Sequence, residues 1–178
     1  MGMSTLVLCD LEKPQREKRQ PCEDGVRIYY GSERAARCKG CFGCWLKSPG
    51  ECVMGDGLKR LGSEMAASER IIVISRNLYG GFSVEVKRML DRALSCFLPY
   101  FEVRDGRLHH QLRGQTFPHM SVYFYETENM TAAEKDLSKQ VVKANSINYN
   151  AVSYEIYFIE GKISVEEVLA LEHGHAEL

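Results

Sequence analysis

The densest group of reactive side chains lies in residues 38–56, CKGCFGCWLKSPGECVMGD, where Cys38, Cys41, Cys44 and Cys52 are spaced C-x2-C-x2-C-x7-C. Two-residue gaps let successive thiolates of one tight loop converge on a common centre. Gly40, Gly43 and Gly50 lie among them. Short C-x2-C-x2-C runs with a more distant fourth cysteine suit an iron–sulfur cubane, whose soft irons take thiolate ligands. Zinc is the alternative, although four-cysteine zinc sites more often divide their ligands into two separated pairs. The third reading is that some of these thiols are small buried apolar groups with no metal between them. Spacing alone leaves all three open.

A second candidate site is the segment SRNLYGGFS, residues 75–83, which follows the most hydrophobic run of the chain, IIVIS. Gly80 and Gly81 would let the backbone approach a flat ligand, and Tyr79 offers an aromatic face for stacking. A tight strand-to-helix turn whose glycines only set backbone angles explains the same residues. The histidines point to no chemistry: His109, His110, His173 and His175 have no cysteine or carboxylate at ligand spacing and read as surface groups. The chain contains no nucleophile elbow, P-loop or G-x-G-x-x-G, so hydrolase, phosphotransferase and dinucleotide-fold readings have no support.

The elements that would position these residues follow from hydrophobic patterning. Residues 4–9, 26–30, 71–75, 120–125 and 154–159 are short runs rich in apolar, β-branched or aromatic side chains, and are expected to be strands. Leu58, Leu61 and Met65 share one face of a helix ending near Ser68. Ser83 can cap a helix whose stripe runs Val86, Met89, Leu90, Ala93, Leu94 and Phe97 until Pro99 ends it. Asp105-Gly106 would close a hairpin excursion over residues 100–114. Thr131 with Glu134, and Ser164 with Glu167, form capping boxes for two further helices, the first running to about Ser146. The pattern is that of an α/β protein with a five-stranded parallel sheet and helices on both faces.

At 178 residues the chain is long enough for a core without disulfide staples, and a single domain over residues 1–178 is expected. Its 23 basic and 24 acidic residues give a net charge of −1, with no field to draw nucleic acid or an anionic membrane. No segment reaches the roughly 20 apolar residues of a membrane span. The N-terminal run reads as a first strand and not as a signal peptide, so a cytoplasmic protein is expected. In that compartment the odd number of cysteines reads as ligands or free thiols. Cys9 and Cys96 lie in apolar patterns and belong to the core, while Cys22 lies in a polar loop with no assigned role.

The combination CKGCFGCWLKSPGECVMGD followed by IIVISRNLYGGFSVEVKRMLDR resembles the flavodoxin-like NAD(P)H-dependent FMN reductases, especially the branch containing the iron–sulfur flavoproteins. The resemblance implies a flavodoxin-like three-layer sandwich with strand order 2-1-3-4-5, and FMN at the carboxyl ends of the strands. It also implies NAD(P)H as co-substrate and assembly as a homodimer or tetramer. Ser75, Asn77, Tyr79, Gly80 and Gly81 match the loop that holds the isoalloxazine ring. Arg76 stands where relatives have proline, and its guanidinium would favour anionic reduced flavin if it reached the ring. Lys87, Asp91 and Arg92 match a helix pattern read as a structural helix end or subunit contact. Cys38, Cys41, Cys44 and Cys52 match the ligands of a four-iron four-sulfur cluster.

The chain departs from this family after its first strand. In place of a Gly-Ser-Pro-Arg type segment that holds the FMN phosphate stands CDLEKPQREKRQP, with acidic Asp10 and Glu12 and no glycine for an anion nest. Lys13, Arg16, Lys18 and Arg19 are the substitute cations. The expected function is a flavin-dependent oxidoreductase moving electrons from NAD(P)H to a small-molecule or protein acceptor. The alternative is a flavodoxin-like protein that has lost FMN and serves as a metal-binding or interaction module.

Overall fold

A computed structural model describes residues 4–14, 25–114 and 118–175. In chain order the elements are β1 (Thr5–Cys9), β2 (Val26–Tyr30), α1 (Gly43–Leu46), α2 (Leu61–Ala67), β3 (Arg70–Arg76) and α3 (Val84–Arg92). After a 3-10 turn at Ala93–Cys96 come β4 (Phe97–Arg104), β5 (Arg107–Leu112), β6 (His119–Tyr125), α4 (Ala132–Asn148), β7 (Ser153–Phe158) and α5 (Val165–His175). Five strands form one sheet in the order β2-β1-β3-β6-β7, every neighbouring pair parallel. The numbering differs from the expected 2-1-3-4-5 because β4 and β5 stand apart as an antiparallel hairpin inserted between β3 and β6.

Both faces of the sheet are covered, which is why β1 and β3 read as unbroken apolar runs and not as alternating ones. Leu6, Leu8, Ile71, Val73, Met120 and Val122 pack against Leu61 and Met65 of α2, Val86 and Met89 of α3, and Val142 of α4. Val7, Cys9, Ile72, Ile74 and Tyr123 turn the other way, onto Val165 and Val168 of α5. The caps form where the side chains allow. Ser83 Oγ accepts from Val86 N, Thr131 and Glu134 complete a capping box, and Ser164 and Glu167 exchange hydrogen bonds.

Two boundaries differ from the sequence expectation. Leu58 precedes α2, which starts only at Leu61. The helix after Ser83 stops at Arg92, and Phe97 opens β4, so Pro99 lies inside a strand and does not end a helix. Packing decides this: a Cβ on Gly62 of α2 would stand 1.9 Å from Ser95 Oγ and 2.8 Å from Cys96 N. The 3-10 turn is thus pressed directly onto α2. Pro99, which has no N–H, is accommodated by the register irregularity between Phe97 and Phe101. Among the described residues no helix is long and apolar enough to cross a membrane.

Candidate functional site

The chain order reverses between β1 and β3, and the crevice outside the carboxyl ends of these strands is where open parallel sheets bind ligands. The strap after β3 fills one side of it. Leu78 and Gly81 exchange backbone hydrogen bonds of 3.0 and 2.9 Å. Between them Tyr79 (φ 52°) and Gly80 (φ 85°) both have positive φ, as a type I′ turn requires. Buried Ser75 closes the base of the strap: its Oγ accepts from Ser83 N at 2.9 Å and donates to the Arg76 carbonyl at 2.8 Å. Asn77 Oδ1 accepts from Gly80 N at 2.9 Å, and its amide donates to Ser138 Oγ of α4 at 2.8 Å. A Cβ on Gly80 would meet Leu137 Cβ at 2.9 Å and the Glu134 carbonyl at 3.0 Å, so this glycine is the point where strap and α4 touch.

Ser75, Asn77 and Gly80 are therefore brought together, but as fasteners of the strap. What remains outward is Tyr79, 87% exposed, with the adjoining backbone and Gly81. Arg76 is engaged within the protein. Its N–H donates to Asp10 Oδ2 at 2.8 Å, its guanidinium pairs with Glu126 at 3.0 Å, and its Cζ lies 6.0 Å from the centre of the Tyr125 ring. Tyr125 OH donates to the other Asp10 oxygen at 3.0 Å. Burial, and then the Asp10 charge, raises the Tyr125 phenol, so it stays a donor to Asp10.

The end of β1 thus carries a fixed carboxylate where a phosphate would be sought. Around it Lys13 pairs with Glu33 at 2.7 Å, and Arg88 donates to the carbonyls of Gly31 and Ala35 at 3.0 and 3.2 Å. A Cβ on Gly31 would stand 2.5 Å from Glu85 Cβ and 3.1 Å from Asp10 Cα, so the end of β2 is closed against the first turn of α3. The described residues at the end of β1 do not suit a phosphate dianion. Arg16, Lys18, Arg19 and Cys22 lie outside the described residues.

In the cysteine loop, Cys38 and Cys41 are exposed, and Cys44 and Cys52 are partly buried. Burial raises the Cys44 pKa, and the charges of Cys52, Cys38 and Cys41 raise it further. Yet among the described residues no three His, Cys, Asp or Glu side chains are placed to hold one metal ion. The loop is held by other contacts. The missing Cβ of Gly43 makes room for Val53, whose Cγ1 would be 2.5 Å from it. Trp45 Nε1 donates to the Phe97 carbonyl at 3.0 Å. Asp56 takes a bidentate pair from Arg92 at 2.7 and 2.8 Å and also accepts from Ala36 N and Leu58 N. Chiefly through Arg92, the Asp56 carboxyl is lowered to about 2.

Arg92 is therefore a buried anchor at the end of α3, whereas Lys87 and Asp91 form an exposed i,i+4 pair. The surface reading of His109 and His110 is corrected: both are half-buried. His109 contacts Asn148 Oδ1 at 2.9 Å, and His110 lies between the Trp45 and Phe101 rings at 4.8 and 4.4 Å. Cys9 and Cys96 are core residues as expected, with burial pushing the Cys9 thiol up to about 12. Sequence reasoning missed the Asp10 clamp and the Asp56–Arg92 pair. The only signal for either was a charged residue directly after an apolar run or at a helix end.

No protein-family model and no curated protein matches the chain. Solved structures do. The NAD(P)H:quinone oxidoreductase from Methanothermobacter marburgensis superposes with a TM-score of 0.56 at 9% identity, covering 99% of this chain and 97% of that one. The azoreductase AzrA gives 0.52 at 12% identity over 97% and 96% of the two chains. An NADPH-quinone reductase from P. pentosaceus gives 0.50 at 10% identity over 97% and 95%. At such identities the likeness speaks for architecture alone, and over nearly the full length of both chains that architecture is the flavodoxin-like α/β fold.

Proposed function

We propose that the protein is a flavin-dependent oxidoreductase of the NAD(P)H-dependent FMN reductase type, delivering electrons to a small-molecule or protein acceptor. The observation that carries this reading is the strap after β3. It is fastened by Ser75 and Asn77, seated on α4 at Gly80, and leaves the Tyr79 ring exposed at the switch point of the sheet. Such a strap is a preorganised platform for a planar ring, since its backbone loses little further freedom when the ligand arrives. The fold it shares with structures named as NAD(P)H:quinone oxidoreductase and azoreductase supports the same reading. A bound flavin would supply the hydride and electron chemistry, leaving orientation and exclusion of water to the chain.

The residues of this chain divide that task. Tyr79 would stack on one face of the ring, and the strap backbone from Arg76 to Gly81 would hold it in place. The Arg76–Glu126 pair holds a compensated charge beside the site, so the guanidinium is not free to neutralise an anionic ring. The four-iron four-sulfur reading of Cys38, Cys41, Cys44 and Cys52 rests on their spacing in the sequence alone. The thiols as placed do not converge on one ion, and no electron route is drawn through them.

The test is a spectral titration of the full chain with free flavins, followed by NADPH oxidation in the presence of a quinone. Bound-flavin bands and quinone-dependent turnover are expected. Tyr79→Ala should weaken flavin binding by roughly three- to tenfold, the worth of one stacking contact. Because Tyr79 is exposed, the variant should fold as the parent does. A folded protein that perturbs no flavin spectrum overturns the proposal in favour of the interaction-module reading.

A further inference from the structure

We infer that the flavin site selects a flavin lacking the terminal phosphate: an isoalloxazine with an uncharged ribityl chain binds at least as well as its phosphate ester. The inference rests on the flavin reading above and concerns the other end of the ligand. Of the two strand ends beside β3, that of β1 shares the switch-point crevice, so a ring on the strap would lead its side chain there.

At that end the first group met is Asp10. Its carboxylate is fixed by two donors, Arg76 N at 2.8 Å and Tyr125 OH at 3.0 Å, and so cannot swing away from an incoming anion. Three further carboxylates come from the elements packed around it. Glu126 sits on Arg76, Glu33 sits on Lys13, and Glu85 lies in the first turn of α3 against Gly31. The N-terminus of α3, which would otherwise attract an anion, has its Val86 N–H taken by Ser83 Oγ and carries Glu85 in the same turn. Among the described residues, Arg76 and Lys13 are each paired with one of these carboxylates, Glu126 and Glu33.

A phosphate dianion placed there would lose its water and meet like charges, while the described N–H groups of Asp10 and Lys13 are already given to the Ile74 carbonyl and to Ser32 Oγ. Ribityl hydroxyls suffer no such penalty: Asp10 and Glu126 accept hydrogen bonds from hydroxyl donors. The same carboxylates that repel the ester therefore favour the alcohol.

The experiment is a fluorescence-quenching titration of the full chain with riboflavin and with FMN, each at about 20 mM and about 300 mM salt, concentrations between which the Debye length falls several-fold. Riboflavin should bind as tightly as FMN or tighter at low salt, and any deficit of FMN should shrink at high salt as its repulsion is screened. Asp10→Asn should raise the affinity for FMN relative to riboflavin several-fold, because the ribityl hydroxyls of both flavins lose the same acceptor while only the ester also sheds a repulsion. FMN binding at least tenfold tighter than riboflavin in the parent protein would overturn the inference while upholding the flavin reading. Binding of neither flavin by folded protein would overturn both. The parent titration decides the matter even if the variant does not fold.

Discussion

Asp56 and Arg92 show what a buried pair contributes at this site. The Arg92 side chain is fully buried, and its guanidinium grips both oxygens of Asp56, joining the end of the cysteine loop to the end of α3. The Asp56 carboxyl sits at about 2 against an ordinary 3.8. Because the folded value is the lower one, the ionised form stabilises the fold. That contribution is complete above about pH 4 and is lost as the pH falls through about 2, amounting to about 2 kcal/mol. Asp56→Asn should cost about 3–5 kcal/mol at neutral pH, since it leaves a buried guanidinium uncompensated. Urea unfolding at pH 7 and pH 3 checks both points: the variant should lose less of its remaining stability on acidification than the parent, and equal losses would refute the assignment. Neither residue announces this role in the sequence. Asp56 closes a glycine-rich loop and Arg92 ends a helix, both common surface positions, and 36 residues separate them. Asp10 was expected to repel a phosphate from its charge alone, but its two donors come from β3 and β6, which only the folded sheet brings together.

At the scale of elements, the strap depends on the absence of one carbon atom. Gly80 combines a φ of 85° with a would-be Cβ at 2.9 Å from Leu137 and 3.0 Å from the Glu134 carbonyl. Gly106, in the hairpin turn, has a φ of 70° and nothing within 4 Å. Gly106→Ala should cost about 1–2 kcal/mol, the left-handed backbone penalty alone. Gly80→Ala should cost a further 1–3 kcal/mol, roughly, because α4 must also give way. Equal losses for the two variants in chemical denaturation would mean that strap and helix are not in tight contact. The elements were legible wherever local pattern and packing agree. The unbroken runs STLVLC and IIVIS became the two-sided strands β1 and β3, and Thr131 with Glu134 formed its capping box. The sequence pattern failed at Phe97, where six apolar residues at helical spacing run past the true end of α3. The close approach of Gly62 to the 3-10 turn ends the helix there, and no local pattern encodes that contact.

For the whole molecule, the parallel sheet and the covering of both its faces were legible because each strand carries its own burial pattern. The surface of the inserted hairpin was not. Phe101 pairs with His110 and Val103 with Leu108, so these four share one face of the β4-β5 ribbon. The opposite face is anchored, Arg104 donating to the carbonyls of Ile147 and Asn148 at the end of α4. On the free face Phe101, Val103 and Leu108 are 55%, 71% and 65% exposed. Ring contacts from Phe101 through His110 and Trp45 carry the strip to Phe42, 56% exposed, and beside it in α1 stands Leu46, 80% exposed. These five side chains present on the order of 600 Å² of apolar surface, close to the roughly 800 Å² per partner of a stable interface. The occupant we propose is a second copy of the chain, because a two-fold pairing lays the strip on itself and covers it in one step. Light scattering after size exclusion should give at least twice the 20.2 kDa chain mass. Replacing Val103 and Leu108 together with lysine should return it to the monomer, since two pairs of like charges would then face one another across the axis. The substitutions touch only exposed positions, so circular dichroism should be unchanged, and flavin binding should survive if the site is complete within one chain. A parent protein that stays monomeric at about 100 μM would overturn the pairing, since an interface of this size is expected to hold at micromolar concentrations or below.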